Sequence, residues 1–151
     1  MAYEALLQAR KIRPYSAKPA EIQQLLRVAA RDLAAAARNL PEDPEWAYNI
    51  AYNAVLQTGR AWMFFRGYRP RGAESHAVVV EFLRESFEDR YRPEIALFDQ
   101  MRRKRNRVIY ESTGLVSTSE AKQVIDFAKK WVEIMESEIS GQQKLPLLDG
   151  L

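Results

Sequence analysis

From Ala20 to Leu40, apolar residues return every three or four positions: Ile22, Leu25, Leu26, Ala29, Ala30, Leu33, Ala36, Ala37 and Leu40. That is the repeat of one helix face, and it is incompatible with the two-residue alternation of a half-buried strand. The pattern stops at Pro41 and Pro44. It resumes over a second predicted helix, from about Glu45 to Arg66, rich in aromatics (Trp46, Tyr48, Tyr52, Trp62, Phe64 and Phe65). Apolar residues surround much of this helix, which predicts a central position with its aromatic stripe in the core. Residues 67–72, GYRPRG, read as a loop. A third helix begins near Ser75, with Val79, Val80, Phe82, Leu83 and Phe87 as its apolar positions. The fourth carries Pro93 in its first turn, where proline is tolerated, and a stripe of Ile95, Phe98, Met101, Val108 and Ile109. After Gly114, the spacing of Ser117 and Glu120 predicts a capping box. A fifth helix follows through Ala121, Val124, Ile125, Ala128, Trp131, Val132, Met135 and Ile139.

Helices of this length on short connections predict an all-α fold, an antiparallel helical bundle of four to five helices. No alternating strand pattern stands out. Residues 1–19 are basic and interrupted by Pro14 and Pro19, and read as an irregular N-terminal segment. Residues 20–140 form the expected bundle and 141–151 a loose C-terminal tail. A chain of 151 residues suits one domain, and 47% hydrophobic residues supply a core.

Composition removes several chemistries. There is no cysteine, so disulfides, thiolate metal sites and a cysteine nucleophile are excluded. With His76 as the only histidine, a zinc site would have to be nearly all carboxylate, and no metal or other cofactor is expected. The first residues, MAYEALLQARKIRPYS, carry charge where a secretory signal needs an apolar centre. No apolar run approaches the roughly 20 residues of a membrane span. The expectation is a cytoplasmic protein without a membrane anchor.

The net charge is only +3, but it is unevenly placed. Residues 102–107 read Arg102, Arg103, Lys104, Arg105, Asn106 and Arg107, five of six basic, on the fourth helix. Such a run can neutralise phosphates, with guanidinium groups binding their oxygens bidentately. It can equally be a solvated face whose cations favour the helix C-terminus. Asn106 and Tyr110 are four apart and share a face, flanked by Arg103 and Arg107. Arg105 and Tyr110 lie about 140° apart around an ideal helix. Lining one cavity would take a broad cleft, a distorted helix, or a second subunit as the opposite wall. Asp99 and Glu111 flank the run and are expected to pair with its arginines. His76 sits near the start of the third helix, where a lone histidine is commonly a cap or a surface residue. It is also the only imidazole available as an accessory base, if residues 67–74 fold over the fourth helix.

Residues 102–110, RRKRNRVIY, resemble the signature of HEPN domains: an arginine, usually followed by a polar residue, and a histidine after four to six intervening residues. Arg105 and Asn106 match the first two positions. Four residues separate Arg105 from Tyr110, where tyrosine stands in place of the histidine. The two stretches from Asp32 to Leu40 and Trp46 to Phe65, Gly72 followed by Ser75 and His76, and Ser117 to Ala128 are similar to the family's helices and loop in order and spacing. The resemblance spans roughly Ala20 to Ser140. It is nearest to the Arg-Asn…Tyr version found in bacterial and archaeal branches of the toxin–antitoxin, minimal-nucleotidyltransferase-associated type.

The resemblance implies a helical bundle that pairs as a homodimer, with two motifs meeting at the interface. It implies RNA or nucleotide binding, and in many members metal-independent endoribonuclease activity, as the toxin of a pair whose antitoxin is a nucleotidyltransferase. Arg105, Asn106 and Tyr110 take the catalytic positions. Arg105 would hold the scissile phosphate and stabilise its developing charge. Arg102, Arg103, Lys104 and Arg107 would bind RNA phosphates. Tyr110 at its ordinary pKa near 10 is a poor base. Neighbouring arginines would favour its phenolate, and it offers a hydroxyl donor or a ring for stacking. It is also the acceptor that antitoxin nucleotidylation would modify. The alternative is a non-catalytic nucleotide- or RNA-binding module, or one whose basic face meets an acidic partner protein.

Overall fold

The structure is a computed structural model that describes residues 3–72, 75–110 and 115–149, with side chains at 3–72, 75–107 and 115–141. Among the described residues the elements run α1 (Glu4–Gln8), β1 (Ile12–Pro14), α2 (Pro19–Asn39), α3 (Pro44–Arg66), β2 (Tyr68–Pro70), α4 (Ser75–Phe87), α5 (Arg92–Tyr110) and α6 (Thr118–Asp149). The five long helices are those read from the apolar spacing. The α2 helix opens on Pro19, and Glu21 accepts the backbone N–H of Lys18 at 2.7 Å. The α3 helix opens with Asp43 accepting the Trp46 N–H at 3.0 Å and with Pro44 at its first position, where the missing N–H costs nothing. It ends at Gly67, whose φ of 94° only glycine adopts without strain.

Helix α3 is the axis of the bundle. It packs against α2, α4, α5 and α6, and Ala47, Tyr48, Ala51, Tyr52, Val55, Trp62 and Met63 are all buried. Gly59 sits where α4 crosses it. A Cβ there would lie 2.5 Å from Val79 Cγ1, so the close approach of the two helices requires glycine. On the far side α6 buries Ala121, Ile125, Ala128, Trp131, Met135 and Ile139. None of the described helices is long and apolar enough to cross a membrane.

Three features depart from the sequence reading. The stretch read as irregular holds α1 and β1, and β1 pairs antiparallel with β2 through Ile12 and Pro70, Arg13 and Arg69, and Pro14 and Tyr68. It is fastened by packing: Tyr3, Leu6 and Ile12 are buried, and the Tyr3 ring stacks on Phe82 at 4.1 Å. Ser86 donates its hydroxyl proton to the Phe82 carbonyl and accepts from Trp62 Nε1 at 2.9 Å, so at 2.8 Å Tyr3 is the donor to Ser86. Second, α6 continues to Asp149, through residues read as tail. Third, Trp46 does not join the aromatic core. It is 54% exposed, the single exposed large hydrophobic side chain among the described residues.

Candidate nucleic-acid interface on the basic helix

The basic run occupies the last turns of α5, and the structure divides its cations by partner. Asp99, one turn earlier and buried, collects three arginines. Its Oδ1 accepts from Arg102 Nε at 2.9 Å, and its Oδ2 lies 3.1 Å from Arg103 and 3.7 Å from Arg84 of α4. Lys104 reaches across to Glu120 of α6 at 2.6 Å. The expected pairing of Asp99 with the arginines is present; Glu111 lies outside the described residues. Ser117 caps α6 as expected, accepting the Glu120 N–H at 3.0 Å. Only half of the capping box forms, because the Glu120 carboxylate is taken by Lys104.

Arg105 and Arg107 make no ion pair among the described residues, and they face different walls. Arg107, with Arg103 and Lys104, lines a cavity of about 630 Å³ between α5, α6 and Tyr48 of α3. Tyr48 is buried there, and burial, then Glu120, pushes its phenol above the usual range. Arg105 points the other way, into a groove of about 290 Å³ whose walls include Asp32 of α2 and Trp46, Asn49 and Asn53 of α3. Asn106 is exposed at the outer surface. Tyr110 closes α5, and its side chain lies outside the described residues. The run is therefore not one uniform face. Successive residues turn by about 100°, and each wall receives a different member.

Arg105 is held by chemistry from two other helices. Its guanidinium stands 5.6 Å from the centre of the Tyr52 ring, a cation–π contact to a residue of α3. The Tyr52 hydroxyl meets His76 Nδ1 of α4 at 3.0 Å. His76 thus comes within the electrostatic reach of the motif, carried by the first turn of α4. Burial, then the positive charges of Arg105, Arg60 and Arg102, hold its imidazole below the ordinary value of 6.5. Burial likewise pushes the Tyr52 phenol up, with Arg105 opposing. At neutral pH both groups are uncharged. The shared contact is satisfied in either tautomer: the phenol donates to Nδ1 with the ring proton on Nε2, or Nδ1–H donates to the phenol oxygen and leaves Nε2 unprotonated.

This arrangement has a measurable consequence. As the only histidine in the chain, His76 gives one imidazole resonance to follow by NMR, and its titration midpoint is expected below 6.5. Arg105→Ala is expected to move it upward, because a cationic neighbour is removed while burial remains. A folded-state value below the unfolded one means that this group's contribution to stability is intact above about pH 6.5. It is lost as pH falls further, since the unfolded chain binds the proton first. A midpoint at or above 6.5 would place His76 outside this cluster.

The sequence reading did not single out Arg31, Asp32, Asn49 and Asn53. Asp32 is buried; its Oδ2 accepts from Asn53 Nδ2 at 2.6 Å, and its Oδ1 lies 3.2 Å from Arg31. Gln57 in turn donates to Asn53 at 3.1 Å. The one signal for this network was positional: Asp32 falls three residues after Ala29 and four before Ala36, on the apolar face of α2. Searches of curated proteins and of solved structures returned no match. The model of one family, described as HEPN domain, matches residues 22–138, a stretch holding α3, α4, the basic run of α5 and the groove beside Arg105. The chain belongs to the HEPN family.

Proposed function

We propose that this HEPN domain binds RNA or a nucleotide, with Arg105 as the residue that holds a phosphate. The observation that carries this reading is the state of Arg105. Three neighbouring cations of the run are neutralised by carboxylates. Arg105 makes no ion pair among the described residues, is braced on Tyr52, and lines an open groove. A guanidinium preorganised in this way has little side-chain entropy left to lose on binding, and it can meet a phosphate bidentately. Arg107, in the separate cavity on the other side of α5, offers a second phosphate contact.

The test is RNA binding by fluorescence anisotropy across a salt series. The intact protein is expected to bind more weakly as salt rises, the mark of phosphate contacts. Arg105→Ala should weaken binding about tenfold, the loss of one charge-assisted contact, and reduce the salt slope by about one. Undiminished binding with an unchanged slope would sink the reading.

Cleavage is the second reading, and His76 is the observation that favours it. An imidazole kept neutral beside a phosphate-binding arginine is in the protonation state a general base requires. In this version His76 donates Nδ1–H to the Tyr52 hydroxyl oxygen, which leaves Nε2 free to accept the proton of a 2′-hydroxyl. The 2′-oxygen attacks the phosphorus, the 5′-oxygen leaves, and Arg105 stabilises the charge on the phosphate. Incubation with total RNA decides it: both Arg105→Ala and His76→Ala should abolish the products. Cleavage by a second copy's motif or by Tyr110 would survive His76→Ala alone. Toxin activity, neutralisation by a nucleotidyltransferase and pairing as a homodimer belong to this second reading.

A further inference from the structure

The groove beside Arg105 is lined by more than a phosphate needs. Trp46 stands at its rim with an exposed indole face, while Trp62 and Trp131 are buried. Its backbone is fixed by the Asp43 cap, so the ring is displayed from a rigid first turn. An exposed aromatic plane next to an unpaired arginine is the usual platform for a nucleic-acid base.

Two hydrogen-bond acceptors line the same groove, Asn49 one turn along α3 from Trp46 and Asp32 across on α2. Asn49 Oδ1 is shielded from solvent and has no hydrogen-bond partner among the described residues. A shielded amide oxygen without a donor is unfavourable, and a ligand N–H would relieve it. Asp32 adds a carboxylate. Arg31 donates to its Oδ1 from Nε and Nη2, Asn53 donates to its Oδ2, and Gln57 holds Asn53 in turn, so three positions are taken. A carboxylate has about four acceptor positions, so capacity remains. A fixed carboxylate and an amide oxygen lining one groove favour a base edge carrying adjacent N–H donors. Guanine presents that edge, with N1–H beside the N2 amino group. Adenine and cytosine each offer one amino donor next to a ring acceptor, which a carboxylate repels. Uracil offers one N–H flanked by carbonyls.

We propose that this groove is a guanine-recognition pocket: the base stacks on Trp46, donates from N1–H and N2–H to Asp32 and Asn49, and places its phosphate on Arg105. The proposal rests on the reading of Arg105 as a phosphate-binding residue. The guanine comes either from a free nucleotide or from a guanosine in single-stranded RNA, and the chemistry of the pocket is the same for both.

The test is isothermal titration of the full chain with GMP, IMP, AMP, CMP and UMP, and with short single-stranded RNAs that differ at one position. GMP is expected to bind about tenfold more tightly than AMP, CMP or UMP, a difference typical of a two-point edge contact. IMP, which keeps N1–H and lacks the amino group, falls between them. A preference present in the RNA series alone assigns the pocket to a guanosine within a strand; a preference for free GMP assigns it to nucleotides. Asn49→Ala should erase most of the advantage of GMP while leaving AMP unchanged. Trp46→Ala should weaken all five nucleotides. Both positions are open enough to solvent for the variants to fold, and circular dichroism verifies it. Equal affinity for the five nucleotides, with Arg105→Ala still weakening each, would overturn the guanine pocket and leave the phosphate role standing. Binding unaffected by Arg105→Ala would remove the phosphate role itself.

Discussion

Trp131→Ala is expected to remove about 3–5 kcal/mol of folding stability, at the upper end for a core truncation. Trp131 is completely buried on α6. The edge of one ring meets the face of the other where it packs against Tyr91, with centroids 5.8 Å apart and planes at 89°, and Phe127 stacks on it from its own helix. Tyr91 is in turn tied to α6 by its hydroxyl, which donates to Glu138 at 2.7 Å, a carboxylate that Arg90 also engages. Alanine would therefore open a cavity where α6 meets the turn before α5, and the surrounding rings could fill it only by giving up these contacts. Against a net stability of about 5–15 kcal/mol for a domain of this size, that is a large share. The indole Nε1 has no hydrogen-bond partner among the described residues. Trp131→Phe removes that donor along with some volume, so the two effects oppose each other, and its cost should stay below about 1.5 kcal/mol. Urea denaturation of both variants is the measurement. A Trp131→Ala loss under about 1 kcal/mol would mean that α6 collapses freely onto the gap.

The helices were legible because each carries its own signal. The three- and four-residue spacing of Ile22, Leu26, Ala29 and Ala36 required no tertiary information, and neither did Pro44 or Gly67 at the ends of α3. The hairpin of β1 and β2 was not legible. Each strand is three residues long and each contains a proline, so no alternation exists to be read; the pairing is created by Tyr3, Leu6 and Ile12 docking on the bundle. Trp46 failed as a core residue for a different reason. Ala47 and Tyr48 of the same turn are buried, but Trp46 lies on the stripe of Asn49, Asn53 and Gln57, the polar face of α3, and that face decides its exposure.

The site divides along the same line. That Asp99 would hold Arg102 and Arg103 follows from spacings of three and four on one helix. That Lys104 is taken by Glu120, sixteen residues away on another helix, does not. As a charge run the five cations are equivalent, and only the resemblance set Arg105 apart; in the structure, local pairing of Arg102 and Arg103 with Asp99 and long-range pairing of Lys104 with Glu120 distinguish all three from Arg105. His76 was visible as a lone imidazole, but its connection to Arg105 runs through Tyr52, a residue whose position promised only core packing. Asp32 and Asn53 are ordinary polar residues until α2 and α3 are placed side by side.

Asp99→Ala should lower stability by about 1–3 kcal/mol and, in the same protein, strengthen RNA binding. The stability estimate follows from removing a buried acceptor shared by Arg84, Arg102 and Arg103. It stays below the full cost of breaking a buried ion pair because Arg84 and Arg103 remain largely in water. Without the carboxylate, three guanidinium groups converge on one point with nothing between them. Their repulsion is screened over about 10 Å at 0.1 M salt, so the loss should shrink as salt rises. The binding change has the opposite sign for the same reason. The substitution takes the formal net charge from +3 to +4 and frees Arg102 and Arg103 for phosphates, which steepens the salt dependence of binding. Asp99→Asn keeps an acceptor for Arg102 and should fall between. A stability loss that ignores salt would show that Asp99 acts by packing and not by charge. Weaker RNA binding would show that it holds Arg102 and Arg103 in the geometry that binds, and does not keep them from the ligand.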